Sequence, residues 1–151
     1  MNQRFDAFVT GITLCYKYIQ KIKAAEVTDF GLKGAHVMCM FHLNQHPEGL
    51  TASQLCTLCA EDKAAVSRTI SSLREGGYVQ SQGPKSYRAI LSLTERGKAV
   101  AEKIGDVISD WVSACGCGLT EEERRNFYFG LNLIAENMRS KMEQDLKLND
   151  F

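Results

Sequence analysis

Within "EDKAAVSRTISSLREGGYV", Glu61 to Val79, the residues Lys63, Ala64, Ser67, Arg68 and Ser71 recur at helical spacing and form one chemically distinctive arc. An arginine presents two parallel donors that match O6 and N7 of guanine, a serine serves several bases, and an alanine can touch the methyl of thymine. Val66, Ile70 and Leu73 fall on the opposite side of the same helix and would anchor it in a core. The plainer reading of such an arc is a solvated helix face.

A second set of chemistry-bearing residues is His36, Cys39, His42 and His46, which step by 3, 3 and 4 along one helix. Ligands one turn apart can share a metal ion. The other cysteines are Cys15, Cys56, Cys59, Cys115 and Cys117. Cys56-x-x-Cys59 has no partner pair at zinc-finger spacing, and Cys115-x-Cys117 lies between glycines at a helix break. A thiol reacts readily only when its pKa is lowered, so most of these are expected to be small buried hydrophobes. The histidines are expected to be hydrogen-bonded or solvated. No metal, redox centre or cofactor is therefore assigned. His36, Cys39, His42 and His46 stand as candidate ligands, and Cys15, Cys56, Cys59, Cys115 and Cys117 as candidate sensors. G-x-S-x-G, H-E-x-x-H and phosphate-binding glycine loops are all missing from the sequence, so the chain is not expected to be an enzyme.

The elements that must position these residues can be read in order. Phe5, Phe8, Ile12, Cys15, Ile19 and Ile22 step by 3 and 4 like a coiled-coil seam. "AHVMCMFHLNQH" continues as a second helix and stops before Pro47 and Gly49. Thr51 and Gln54 have capping-box spacing and open a short helix over about Ala52 to Cys59. Asp62 can cap the helix that follows, and Gly76 with Gly77 ends it in a left-handed turn. "YVQSQ" and "RAILSL", separated by "GPKS", read as a hairpin. Thr94 caps a helix carrying Val100, Ile104, Val107 or Ile108, and Trp111, which breaks at "CGCG". Thr120 and Glu123 form a second capping box before a long helix with Phe127, Leu131, Ile134 and Met138 inward. Two helices joined by a tight turn and followed by a hairpin make a winged helix-turn-helix. The fold class is mainly α (α+β).

Composition agrees with a folded domain. The 151 residues are 44% hydrophobic and 24% charged with two prolines, one domain's worth of chain without a disordered tract. No apolar run approaches the roughly 18 residues of a membrane span, and no export signal opens the chain. The expectation is a soluble cytoplasmic protein with reduced thiols. Net charge is zero, yet between Asp62 and Lys98 seven Lys and Arg face three Asp and Glu, whereas acids prevail after Asp106. Binding by bulk charge is disfavoured, and a basic middle segment remains.

"LTASQLCTLCAEDKAAVSRTISSLREGGYV" with "YRAILSLTERGKAV" resembles the MarR family of winged helix-turn-helix transcriptional regulators. Its L-T-x-x-G is the family's start of the helix after the wing. The similarity extends over nearly the whole chain in element order. What it implies is a single domain over 1–151, with 32–96 binding DNA and the terminal helices, 1–31 and 97–151, forming a homodimer through Phe5, Phe8, Ile12, Phe127, Leu131, Ile134 and Met138. It also implies a repressor on a pseudo-palindromic operator of double-stranded DNA, released by a small-molecule effector. In the wing, Lys85, Tyr87 and Arg88 are the candidate groove contacts, Tyr87 being equally suited to packing. The family's commoner wing has a D-x-R-like tip, where this chain has "GPKSYRA". The alternatives are a winged helix that binds proteins instead of an operator, and a thiol- or metal-sensing variant of the regulator.

Overall fold

The computed structural model describes residues 2–82 and 89–149, with side chains described for 3–82 and 89–145. The elements are α1 (Asn2–Ala25), a 3₁₀ turn (Thr28–Phe30), α2 (Gly34–Gln45), α3 (Ala52–Cys59), α4 (Lys63–Glu75), β1 (Val79–Gln82), β2 (Ile90–Leu93), α5 (Glu95–Cys115) and α6 (Glu121–Asn149). The chain divides into two compact units, 1–109 and 110–151, the boundary falling inside α5.

In the first unit α2, α3 and α4 pack on one another, and α2 also meets α1 and β2. Met40, Leu43, Leu55 and Leu73 are the largest fully buried side chains, each from a different turn or helix of this trio. Their burial contributes about 1.5–3 kcal/mol apiece before the entropic cost of ordering. The strands pair antiparallel in the register Val79↔Leu93, Gln80↔Ser92, Ser81↔Leu91 and Gln82↔Ile90. Val79, Leu91 and Leu93 point into the core, and Leu50 adds an isolated bridge to Leu91. Ile104 is buried from α5, with Val100 and Ile108 partly buried against the same core.

Two sequence expectations need correction, on Gly76 and on α6, and one further face, on α1, is left open to solvent. Gly76 is right-handed at φ −73°, and only Gly77, at φ +72°, adopts the left-handed turn that ends α4. The α1 seam is not covered within the chain: Phe5 is 71% exposed, Ile12, Cys15 and Ile19 are exposed, and Phe8 and Ile22 are half-buried. Likewise the side chains expected to point inward from α6 do not. Phe127 is 53% exposed, Ile134 and Met138 are exposed, and Leu131 is half-buried. Helical periodicity fixes which residues share a face; it does not say whether this chain covers that face.

Among the described residues no helix is long and apolar enough to cross a membrane.

Candidate nucleic-acid interface

The presentation of α4 is built from its ends. Thr51 and Gln54 cap α3 reciprocally: the Gln54 N–H donates to Thr51 Oγ1 at 3.2 Å, and the Thr51 N–H donates to Gln54 Oε1 at 2.8 Å. The helix ends at Ala60, whose φ of 53° makes it the one described non-glycine residue in the left-handed region. Its backbone N–H turns back to the carbonyls of Cys56 and Thr57. Only Ala60, Glu61 and Asp62 then separate α3 from α4, and Asp62 Oδ1 accepts the Ala65 N–H at 2.8 Å. Asp62 is a cap, as its position suggested, so its carboxylate is spent on the first turn of the helix.

Val66, Ile70 and Leu73 are buried, and Lys63, Ala64, Ser67, Arg68 and Ser71 are all exposed. The structure thus puts the five candidate readers on one uncovered arc beginning at the N-terminal end of α4. Lys63, Ser67 and Ser71 line a groove of about 210 Å³ together with Arg74, Ala89 and Leu91, which brings the arc beside the base of the wing. Arg74 is held to the wing by its guanidinium, which donates to the Ser81 hydroxyl. Lys85, Tyr87 and Arg88 lie outside the described residues.

Tyr78, which the sequence reading passed over as strand content, fastens this assembly. Its hydroxyl donates to the Phe30 carbonyl at 2.9 Å and accepts from Arg96 at 3.1 Å, while the Arg96 guanidinium sits 4.6 Å from the ring centroid. A tyrosine at the first residue after a helix-ending Gly-Gly was the available signal, since a buried Tyr must satisfy its hydroxyl.

The histidines have separate occupations. His36 is buried, and its Nδ1 accepts the Lys33 N–H at 3.0 Å; burial, with the nearby Lys33 charge, holds its pKa below the usual value. Burial lowers His42 too, against a hydrogen bond with the Leu58 backbone, and His46 pairs with Glu48 at 2.9 Å. Among the described residues no three His, Cys, Asp or Glu side chains converge as a metal site. Cys15, Cys115 and Cys117 are exposed, Cys56 and Cys59 half-buried, and Cys39 buried. Only Cys39 therefore fits the expectation of a buried thiol fully.

A family model described as "MarR family" matches residues 30–86, from the end of the 3₁₀ turn to just beyond β1. Over those residues the chain matches the MarR family, and its fold is that of MarR-family structures. A MarR family regulator from Neisseria meningitidis has the same fold, at TM-score 0.80 and 21% identity over 96% of this chain and 99% of that one. The protein called MarR itself aligns at TM-score 0.67 and 26% identity, over 86% and 91% of the two chains. A MarR family transcriptional regulator from Listeria monocytogenes, solved with a 26mer DNA, aligns at TM-score 0.76 and 20% identity, over 88% and 89%. No curated protein matches the sequence.

Proposed function

We propose that this MarR-family chain is a sequence-specific transcriptional regulator that binds duplex DNA through α4, acting as a homodimeric repressor on a pseudo-palindromic operator. The observation that carries the reading is the exposed arc of Lys63, Ala64, Ser67, Arg68 and Ser71 on a helix whose other side is locked into the core. The N-terminal half of a recognition helix is the part that meets base edges in the major groove. Arg68 reads guanine, Ser67 and Ser71 adapt to neighbouring bases, and Lys63 contacts phosphate. That the Listeria relative was solved with DNA supports this assignment.

The whole chain works as one domain. Residues 32–96 meet the operator, Lys85, Tyr87 and Arg88 extend the contact through the wing, and residues 1–31 and 97–151 dimerise. Support for the dimer is the apolar surface that α1 and α6 each leave uncovered, including Phe5, Val9, Tyr16, Phe127, Phe129 and Met142. Large apolar side chains left exposed in such number on one helix mark an interface. Two-fold symmetry then sets the recognition helices about one DNA turn, roughly 34 Å, apart.

Release by a small molecule finds support in a cavity of about 300 Å³ against α4, lined by Lys33, His36, Glu61, Arg68, Thr69 and Ser72 among others. Lys33 and Arg68 attract an anionic group there while Glu61 opposes one, and in this reading the protein acts in the cytoplasm by binding rather than catalysis. Mobility shifts on the protein's own upstream region test the function: a discrete complex that competitor DNA of unrelated sequence does not remove is expected, and absent or sequence-blind binding would defeat it.

A further inference from the structure

Lys63, Ser67, Ser71 and Arg74 follow one another at steps of 4, 4 and 3 and form a stripe along α4 with a cation at each end. All four line the groove of about 210 Å³ beside the base of the wing, and no carboxylate is among its described lining residues. Glu75, the next residue in the chain, is turned a further 100° or so around the helix and does not line the groove.

Arg74 is the member of the stripe that the wing holds in place. Along β1, Val79 is buried, Gln80 and Gln82 are exposed and Ser81 is half-buried. Ser81 therefore turns to the same side as Val79, as strand alternation requires, and β1 packs against α4. Its hydroxyl accepts from the Arg74 guanidinium, seven positions back in the chain. A guanidinium carries five N–H donors in a rigid fork, so one bond to Ser81 orients the plane and leaves other donors for a second acceptor. An exposed polar contact of this kind adds little to stability, so folding alone does not account for it.

We propose that Arg74 is a preset phosphate clamp that grips the DNA strand passing between α4 and the wing. The clamp rests on the DNA-binding reading above. With α4 in the major groove and the hairpin against the neighbouring minor groove, the sugar–phosphate strand dividing the two grooves crosses the junction of helix and wing. Arg74, in the last turn of α4 and bonded to β1, stands at that junction.

Two parallel N–H groups of the fork meet two oxygens of one phosphate. Because Ser81 already fixes the side chain, docking removes less rotamer freedom than it would from an unanchored arginine. Contacts to phosphate set register and orientation and carry no sequence information directly. Arg74 is thus a positioning residue: it sets how α4 lies in the groove, and Arg68 reads the base.

The test uses the full chain and a labelled duplex from the protein's own upstream region, with binding followed by anisotropy over a range of salt. Arg74→Gln should weaken binding about tenfold at about 0.1 M salt, and the slope of log affinity against log salt should become shallower by about 0.9, as for one phosphate. Its discrimination between base-pair variants should stay at the wild-type level, unlike that of Arg68→Ala. Ser81→Ala keeps the charge, so its slope should equal that of wild type while affinity falls a few-fold, and it should change nothing further when added to Arg74→Gln. In duplexes that each carry a single uncharged methylphosphonate, one position should weaken the wild type and leave Arg74→Gln unaffected. Urea midpoints of both variants should match wild type. An Arg74→Gln protein with the wild-type slope overturns the clamp, whether its affinity is unchanged or falls together with its urea midpoint. A Ser81→Ala effect that adds to that of Arg74→Gln overturns the presetting by Ser81. A wild type that binds no duplex overturns the DNA-binding reading and the clamp with it, whereas a wild type that binds and an Arg74→Gln variant that matches it overturn the clamp alone.

Discussion

The Thr94 hydroxyl donates to the Gly77 carbonyl at 2.7 Å, clamping the start of α5 to the turn that ends α4. The same oxygen accepts the Gly97 N–H at 3.0 Å, as an N-cap does, and the Thr94 N–H donates to the Tyr78 carbonyl at 3.0 Å. A Cβ added at Gly97 would run into that Tyr78 carbonyl. The L-T-x-x-G sequence is thus a fastening between two helices, with the threonine as cap and the glycine as clearance. Gly97→Ala is expected to destabilise the chain by about 1–3 kcal/mol through overpacking against backbone, and Thr94→Ala by about 1 kcal/mol through loss of the cap. Urea denaturation measures both; wild-type midpoints would show that the fastening is not structural.

Arg68 is exposed on α4. Arg68→Ala should cost about 1–3 kcal/mol of operator binding and relax discrimination at one base pair, because a bidentate guanine contact is lost. Stability should change by less than about 0.5 kcal/mol, as for other exposed positions. A stable variant that binds every base-pair variant of the operator as the wild type does would remove Arg68 from the readout.

His36 supplies a pH dependence with a definite sign. Its folded pKa is depressed, so the unfolded chain takes up a proton that the native one resists, and burial of the neutral ring costs nothing above the unfolded value of about 6.5. Stability should therefore hold from pH 8 to about 7 and decline as pH falls through 6.5 toward 5. His42 is depressed in the same direction and adds to the effect. His36→Gln retains an acceptor for the Lys33 N–H but cannot titrate, so its stability profile should be flatter over this window. An equally steep profile would place the dependence elsewhere.

If α1 and α6 form the proposed dimer, single charges on their apolar faces should shift the oligomeric state. Phe127→Glu or Phe5→Glu puts a carboxylate on a surface that is apolar and uncovered within one chain. In light scattering each should shift the protein from dimer toward monomer, since an unpaired charge in an apolar interface costs several kcal/mol. A wild-type monomer at micromolar concentration, or variants that dimerise normally, would contradict the assignment of these helices.

Much of the fold was legible because its signals are local. The capping boxes at Thr51 with Gln54 and Thr120 with Glu123, the Asp62 cap and the hairpin between Tyr78 and Leu93 all depend on residues a few positions apart. The arc on α4 was legible for the same reason: three apolar anchors at 3.6-residue spacing define what is left to face water. What escaped the sequence is non-local. The Tyr78 hydroxyl meets the Phe30 carbonyl across 48 positions, and the Arg96 guanidinium covers the Tyr78 ring, contacts that no periodicity encodes. The α6 faces escaped differently, for the same apolar stripe serves a chain's own core or a second chain equally well.

The central claim is that α4 and the wing place a small set of cations on DNA phosphates while Arg68 reads a base. Fluorescence anisotropy with a labelled duplex from the protein's own upstream region, titrated at several salt concentrations, tests it most directly. Log affinity should fall linearly with log salt, with a slope of about −0.9 for each phosphate neutralised, and a duplex of scrambled sequence should bind at least about a thousandfold more weakly. Binding that ignores salt, or that treats the scrambled duplex alike, would contradict the account.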